Sequence, residues 1–335
     1  MTTQPMPSTD EARRRLDAIY APIAEELAQV DQVLARELKS RASFIDRLVR
    51  HSANYRGKRL RPALVLLTAR ACGTVRPEHT VLAAVVEMIH TATLVHDDVL
   101  DEANVRRSLS TVNAHWGNEA SVLLGDYLFT HAFHLASSLE STLACRLVGQ
   151  ATNLVCEGEL HQIHHRGNLD LGEDEYLEII AGKTAELYAC CCRLGAHFSG
   201  APRHVEEAMA RYGRQLGIAF QIADDLLDLV GDEQETGKSL GTDLEKQKCT
   251  LPTIYLLRAS QEETLRKVSQ ILTGDGNHKR QSLAPYLRAG GALEYAEHRA
   301  REFAELARSE IQDLPDSDSK AVLEEICRFA VSRKW

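Results

Sequence analysis

Six aspartates carry the strongest chemical signal in this chain. Asp97, Asp98 and Asp101 lie in TLVHDDVLDEANVRR, and Asp224, Asp225 and Asp228 lie in FQIADDLLDLVGD. Both triplets have the spacing D-D-x-x-D, and both close an apolar run. On a helix, Asp97 and Asp101 stand one turn apart on one face, as do Asp224 and Asp228. Like charges at that spacing repel, so a bare helix is destabilised unless a cation sits between them. Mg2+ suits the arrangement, because it prefers oxygen, keeps several waters and is usually completed by substrate phosphates. One such cluster is equally well read as a solvated helix end. Two of the same form argue for several Mg2+ ions around one highly charged group, and a diphosphate is the natural candidate.

A diphosphate also needs cations. YRGKRLRPALVLL places Lys58, Arg59 and Arg61 just ahead of an apolar run, with Pro62 in its expected first turn. Helix N-termini attract anions, and arginine offers phosphate a two-pronged donor. Arg106 and Arg107 follow the first acid cluster. Lys183 and Thr184 lie in AGKTAELYACC, where a lysine among apolar residues needs an anion. Lys238 and Lys248 lie in the long polar stretch Gly231 to Cys249. Singly, each of these reads as a solvated side chain; beside two acid clusters they read as phosphate ligands. His90, two turns before Asp97, is expected to point to the same pocket, although a lone histidine on an apolar face is more often core. His161 and His165 have metal-binding spacing, but no cysteine or further histidine stands at zinc spacing nearby, so a solvated helix end is favoured.

The elements that must position these groups are helical. Residues 8–38 read as one helix, with Ser8 or Thr9 as its N-cap. Apolar periodic stretches follow at 60–72, 79–100, 119–138, 141–163, 173–199, 203–230, 250–258, 260–272, 291–312 and 318–332. Their lengths are helical and strand-like alternation is rare. The expectation is an all-α fold, one large domain over residues 1–335 with a disordered tail over 1–9. The stretch 231–249 is expected to be a functional loop, since long irregular segments are uncommon in compact helical domains.

Composition sets the outer limits. The chain has 335 residues, 44% of them hydrophobic, and a net charge of -9, which argues against a nucleic-acid partner. Its eight cysteines form no CxxC pair and read as reduced and buried, as in a cytoplasmic protein. The N-terminal residues lack a signal-peptide pattern, and no run is apolar enough to span a bilayer.

These residues resemble the trans-isoprenyl diphosphate synthases, the polyprenyl synthetase family. The resemblance rests on GKRLRP, EMIHTATLVHDDVLDEANVRR, WGNEASVLLGDYLF, GKTAELYACCCRLGA, FQIADDLLDLVGD and GKSLGTDLEKQKCTLP, in that order over about residues 54–258. It implies an all-α homodimer, with a central active-site cavity between helices, that joins isopentenyl diphosphate to an allylic diphosphate. Asp97, Asp101 and Asp224 would hold Mg2+, with Asp98, Asp225 and Asp228 in support. Arg106, Lys183, Thr184, Gln221 and Lys238 would contact the allylic substrate. Lys58, Arg61, His90 and Arg107 would hold isopentenyl diphosphate. One departure is RRSLST, with Ser108 where the family has glycine and Ser110 where proline is common. It touches the backbone of that loop rather than the arginines.

In such enzymes the residues one or two turns before the first acid motif form the floor of the product tunnel. Here they are Ala92 and Thr93, both small, with Ile89 and Val86 below, and the motif carries no insertion. A hexaprenyl to decaprenyl product is therefore expected; a plug from another helix would give geranylgeranyl or farnesyl diphosphate instead. A terpene cyclase shares the first acid motif but has a different second one. An HD-type phosphohydrolase, read from His96 and Asp97, leaves the second cluster unexplained. A non-catalytic partner subunit would be expected to lack acids that this chain keeps.

Overall fold

The computed structural model describes residues 18–55, 57–106, 109–231, 240–274 and 278–332. In chain order its helices are α1 (Ala24–Glu37), α2 (Ser43–Ala53), α3 (Leu60–Cys72), α4 (Pro77–Leu100), α5 (Val112–Trp116), α6 (Asn118–Ser137) and α7 (Thr142–His164). There follow α8 (Glu173–Ile180), α9 (Glu186–Phe198), α10 (Arg203–Val230), α11 (Thr242–Glu245) and α12 (Leu251–Ala259). The last four are α13 (Glu262–Thr273), α14 (Lys279–Ala289), α15 (Ala292–Glu310) and α16 (Asp318–Val331). Among the described residues the only sheet is a hairpin, β1 (Val105–Arg106) against β2 (Leu109–Ser110). The fold is all-α, as the periodicity predicts.

Several boundaries differ from the sequence reading, each for a local reason. Pro22 lacks an amide proton, and the chain tightens to a 3-10 turn at Ala21–Ile23 before α1. The expected cap at Ser8 or Thr9 lies outside the described residues. α2 and α14 are helices the sequence reading did not pick out. The expected loop contains α11, while 232–239 lies outside the described residues. No described helix is long and apolar enough to cross a membrane.

Two long helices position the acids. α4 begins with Pro77 and is capped by His79, whose Nδ1 accepts from the Arg76 amide at 2.8 Å. Its Nε2 reaches the Gly195 carbonyl at 3.1 Å and pins α4 to α9. α10 buries Met209, Tyr212, Leu216, Ala219, Ile222 and Leu226 at three- and four-residue steps, a single stripe facing the core. Full burial of each such leucine or isoleucine contributes roughly 1.5–3 kcal/mol. α10 packs most extensively on α15 and α9, and α4 on α6.

Glycines set the closest approaches. A Cβ on Gly158 of α7 would lie 2.3 Å from the Lys183 amide nitrogen, and one on Gly217 of α10 would lie 2.5 Å from the Ala185 Cα. Both contacts clamp the segment Ala181–Ala185. That segment is a single π-helical turn, interrupting what the sequence predicts as one helix over 173–199. Such turns recur at functional sites because they re-aim side chains.

Candidate active site

α4 sorts its acids onto two stripes. His90, Thr93, Asp97 and Asp101 lie half-buried along one face, as the sequence spacing predicts. Ala92, Val95 and Asp98 lie fully buried along the next. Asp98 therefore points inward, where Arg106 of the hairpin donates from Nε to its Oδ1 at 2.7 Å. The backbone beyond it is tied as well: Asn113 Nδ2 donates to the Asp98 and Ala103 carbonyls at 3.3 and 3.1 Å. Burial raises the Asp98 carboxyl above its usual range even though Arg106 pulls it down.

Lysines surround Asp101, and one of them, Lys248, reaches toward the second acid cluster through Asp243. Lys246 lies 2.8 Å from Asp101 Oδ1 and donates to the Asp101 carbonyl at 2.6 Å. Lys248 lies 3.5 Å from Asp101 Oδ1 and 3.6 Å from Asp243 Oδ1. Asp243 in turn sits against the second cluster, its amide donating to Asp228 Oδ2 at 3.2 Å. Burial resists ionisation of Asp101, but Lys248, Lys246 and Lys183 outweigh it and hold its carboxyl below the usual range. Burial dominates at Asp97, whose carboxyl is raised despite Lys183.

Lys183, on the π turn, lies 2.5 Å from Glu159 and donates to Gln162 Oε1 at 2.7 Å. The sequence predicts that this lysine needs an anion; Glu159 on α7 supplies one, and Asp97 adds to it. Burial opposes its charge, yet Asp97 and Glu159 hold its pKa above the ordinary value. Next to it, Thr184 donates to Gln221 Oε1 at 2.8 Å, and Gln221 Nε2 donates to Asp225 Oδ1 at 2.8 Å. The Tyr176 hydroxyl donates to Asp225 Oδ2 at 2.6 Å. Asp225 is buried beside Asp243, and its carboxyl is pushed up to about 8 although Tyr176 and Gln221 lower it. Asp228, buried and also near Asp243, is pushed up to about 6.

The basic segment before α3 divides. Arg59 is tied to Asp31 and lies 3.8 Å from Glu87, a structural anchor. Lys58 and Arg61 lie over the rings of Phe329 and Tyr188. Arg107 and Lys238, both expected to touch phosphate, lie outside the described residues. His96 turns away from Asp97: its Nε2 reaches the Val122 carbonyl at 3.1 Å, so the two do not form the pair an HD-type phosphohydrolase requires. His161 is exposed, as a solvated helix end should be. Ala92 packs with Leu48, Val49, Leu124 and Leu128, whereas Ile89 belongs to the main core, so the expected tunnel floor draws on two packing clusters.

Four groups escaped the sequence reading: Glu159, Tyr176, Asp243 and Lys246. Glu159 and Tyr176 carried no signal beyond a helix face. Asp243 and Lys246 lie in GTDLEKQKC, a segment already singled out for its Lys248, and stand five residues or fewer from it.

The residues that converge are carboxylates, lysines and arginine on an all-helical frame. Fold and site together define a class, a prenyltransferase with the all-α isoprenoid synthase architecture. The polyprenyl synthetase family profile matches residues 42–289. Octaprenyl diphosphate synthase of Escherichia coli (strain K12) is 36% identical over 319 residues, 95% of this chain and 99% of that protein. All-trans-nonaprenyl-diphosphate synthase (geranyl-diphosphate specific) of Rhodobacter capsulatus is 36% identical over 316 residues, 94% of this chain and 97% of its own. The crystal structure of polyprenyl synthase from Caulobacter crescentus CB15, complexed with calcium and isoprenyl diphosphate, superposes with a TM-score of 0.91 at 33% identity, covering 98% of this chain and 99% of that one. The chain belongs to the polyprenyl synthetase family.

Proposed function

We propose that this enzyme condenses isopentenyl diphosphate with an allylic diphosphate and repeats the step to a long-chain product, hexaprenyl to decaprenyl diphosphate. The observation that carries this reading is the pair of D-D-x-x-D clusters linked through Lys248, which lies near both Asp101 and Asp243, and through Asp243, whose amide donates to Asp228. The octaprenyl and nonaprenyl synthases among its relatives support the product length.

The donor set fits Mg2+. The cluster offers carboxylate oxygens and no thiolate, the donor type a hard cation selects. Among the described residues no three acidic, histidine or cysteine side chains converge on one point. That suits several ions that share Asp97, Asp101 and Asp224, each held by one or two carboxylates and completed by water and phosphate. In this reading Asp97, Asp101 and Asp224 hold the metal. Bound there, Mg2+ supplies Lewis-acid stabilisation of the charge that develops on the leaving diphosphate.

The protein does the rest. Lys183, Thr184, Gln221, Arg106 and Lys248, with Lys238, orient the allylic diphosphate. Lys58, Arg61 and His90, with Arg107, hold isopentenyl diphosphate. The allylic C–O bond breaks with its electron pair leaving on the diphosphate, the isopentenyl double bond adds to the cation, and a proton is lost. The apolar faces of α4 and α6 exclude the water that would otherwise trap the cation as an alcohol. Growth runs down α4 past Thr93 and Ala92.

Eight cysteines, none in a disulfide, suit the reducing cytoplasm. We read the enzyme as a homodimer; Leu123 of α6 and Leu160 of α7, 67% and 64% exposed, supply apolar surface for a second copy.

Equilibrium binding of an allylic diphosphate without isopentenyl diphosphate tests the site. Binding is expected to require Mg2+, to be lost with EDTA, and to be lost in Asp97→Ala and Asp224→Ala. Equal affinity with and without the metal would contradict it.

A further inference from the structure

Lys58 Nζ lies 4.9 Å from the centroid of the Phe329 ring on α16. The Arg61 guanidinium carbon lies 4.9 Å from the centroid of the Tyr188 ring on α9. Both distances are within cation–π range, about 6 Å. We propose that Phe329 and Tyr188 are positioning residues that aim Lys58 and Arg61 at the second diphosphate. The inference rests on the reading above that these two cations hold isopentenyl diphosphate.

Three observations carry it. A ring fixes a cation without cancelling its charge, whereas a carboxylate partner neutralises it. The neighbouring Arg59 differs: it is tied to Asp31, with Glu87 near. Arg61 has the other arrangement: its Nε is buried and has no hydrogen-bond acceptor among the described residues, so this donor is held ready. Finally, α9, which carries Tyr188, follows directly on the π turn that carries Lys183 and Thr184. Tyr188 lies one turn past Thr184, and its ring centroid is 5.8 Å from that of Phe220, the residue before Gln221. Phe329 makes the C-terminal helix, outside the matched stretch 42–289, part of the substrate site.

Steady-state kinetics of the full-length Mg2+ enzyme, with thermal midpoints measured alongside, test this. Phe329→Leu and Tyr188→Leu remove the ring; Phe329→Tyr and Tyr188→Phe keep it. The leucine variants are expected to raise KM for isopentenyl diphosphate about five- to tenfold, leaving kcat and KM for the allylic substrate within about twofold. The ring-keeping variants are expected to restore the wild-type KM. Phe329 is only partly buried, so Phe329→Leu is readable even if the fully buried Tyr188 tolerates no leucine. Unchanged KM for isopentenyl diphosphate in a folded Phe329→Leu, equal rises in both KM values, or loss in the ring-keeping variants to the same extent as in leucine would overturn the proposal. A wild-type enzyme that elongates nothing would instead overturn the functional reading on which it stands.

Discussion

At the scale of single residues, the six aspartates divide by what they touch. Asp97 and Asp101 share a half-buried face, while Asp98 is spent on Arg106 and Asp225 on Tyr176 and Gln221. Asp97→Ala and Asp224→Ala are therefore expected to cut kcat by at least about 100-fold with helicity unchanged by circular dichroism, since a ligand of the metal that stabilises the leaving group is removed. The raised carboxyls give a second test. Asp228 and Asp225 are pushed up to about 6 and about 8, both above their value in the unfolded chain. Between the unfolded value and these, the folded protein binds more protons than the unfolded one, so stability falls as pH rises through that window. The thermal midpoint of the EDTA-treated protein is expected to drop from pH 6 to pH 8. Mg2+, which binds the ionised form, should raise the midpoint more at pH 8 than at pH 6. A metal-free midpoint that rises over that interval would contradict the assignment.

At the scale of elements, the site depends on backbone contact that side-chain chemistry does not reveal. Lys183 and Thr184 are aimed by the π turn at Ala181–Ala185, and that turn is possible because Gly158 and Gly217 leave no Cβ in its way. Gly158→Ala places a methyl 2.3 Å from the Lys183 amide nitrogen. It is expected to lower the thermal midpoint and to cost more activity than stability explains, with KM for the allylic substrate rising most. A variant with wild-type KM would separate the turn from function. The acid helices were legible in the sequence, because D-D-x-x-D closing an apolar run is a local pattern. The π turn was not, because it arises from packing between α7, α9 and α10. Nor was the pairing of Lys183 with Glu159, for 24 residues separate them and only the fold brings them within 2.5 Å. α14 was missed because Pro285 inside it reads as a breaker, and α2 was missed although its apolar residues recur at helical spacing.

At the scale of the whole molecule, two helices end in acids, Lys248 and Asp243 bridge them, and α4 is the proposed wall along which the chain grows. The wall was legible only in part. The small residues at 92 and 93 were visible, but on α4 they face different neighbours: Ala92 packs among Leu48, Leu124 and Leu128, while Thr93 shares the face of Asp97. Thr93→Phe and Ala92→Phe are both expected to shorten the product, with the larger loss of thermal stability in Ala92→Phe because its ring must enter a packed cluster. Unchanged length in both variants would place the floor on another helix. Leu123→Asp on the exposed face of α6 is expected to shift the protein from dimer to monomer in light scattering.

The most direct measurement is the product distribution when the purified enzyme is given isopentenyl diphosphate, Mg2+ and, in separate reactions, geranyl, farnesyl or geranylgeranyl diphosphate as primer. The account predicts elongation from at least one primer to an all-trans product between hexaprenyl and decaprenyl diphosphate, abolished by EDTA. Products that stop at farnesyl or geranylgeranyl diphosphate would contradict the long wall along α4, and no elongation from any primer would contradict the account as a whole.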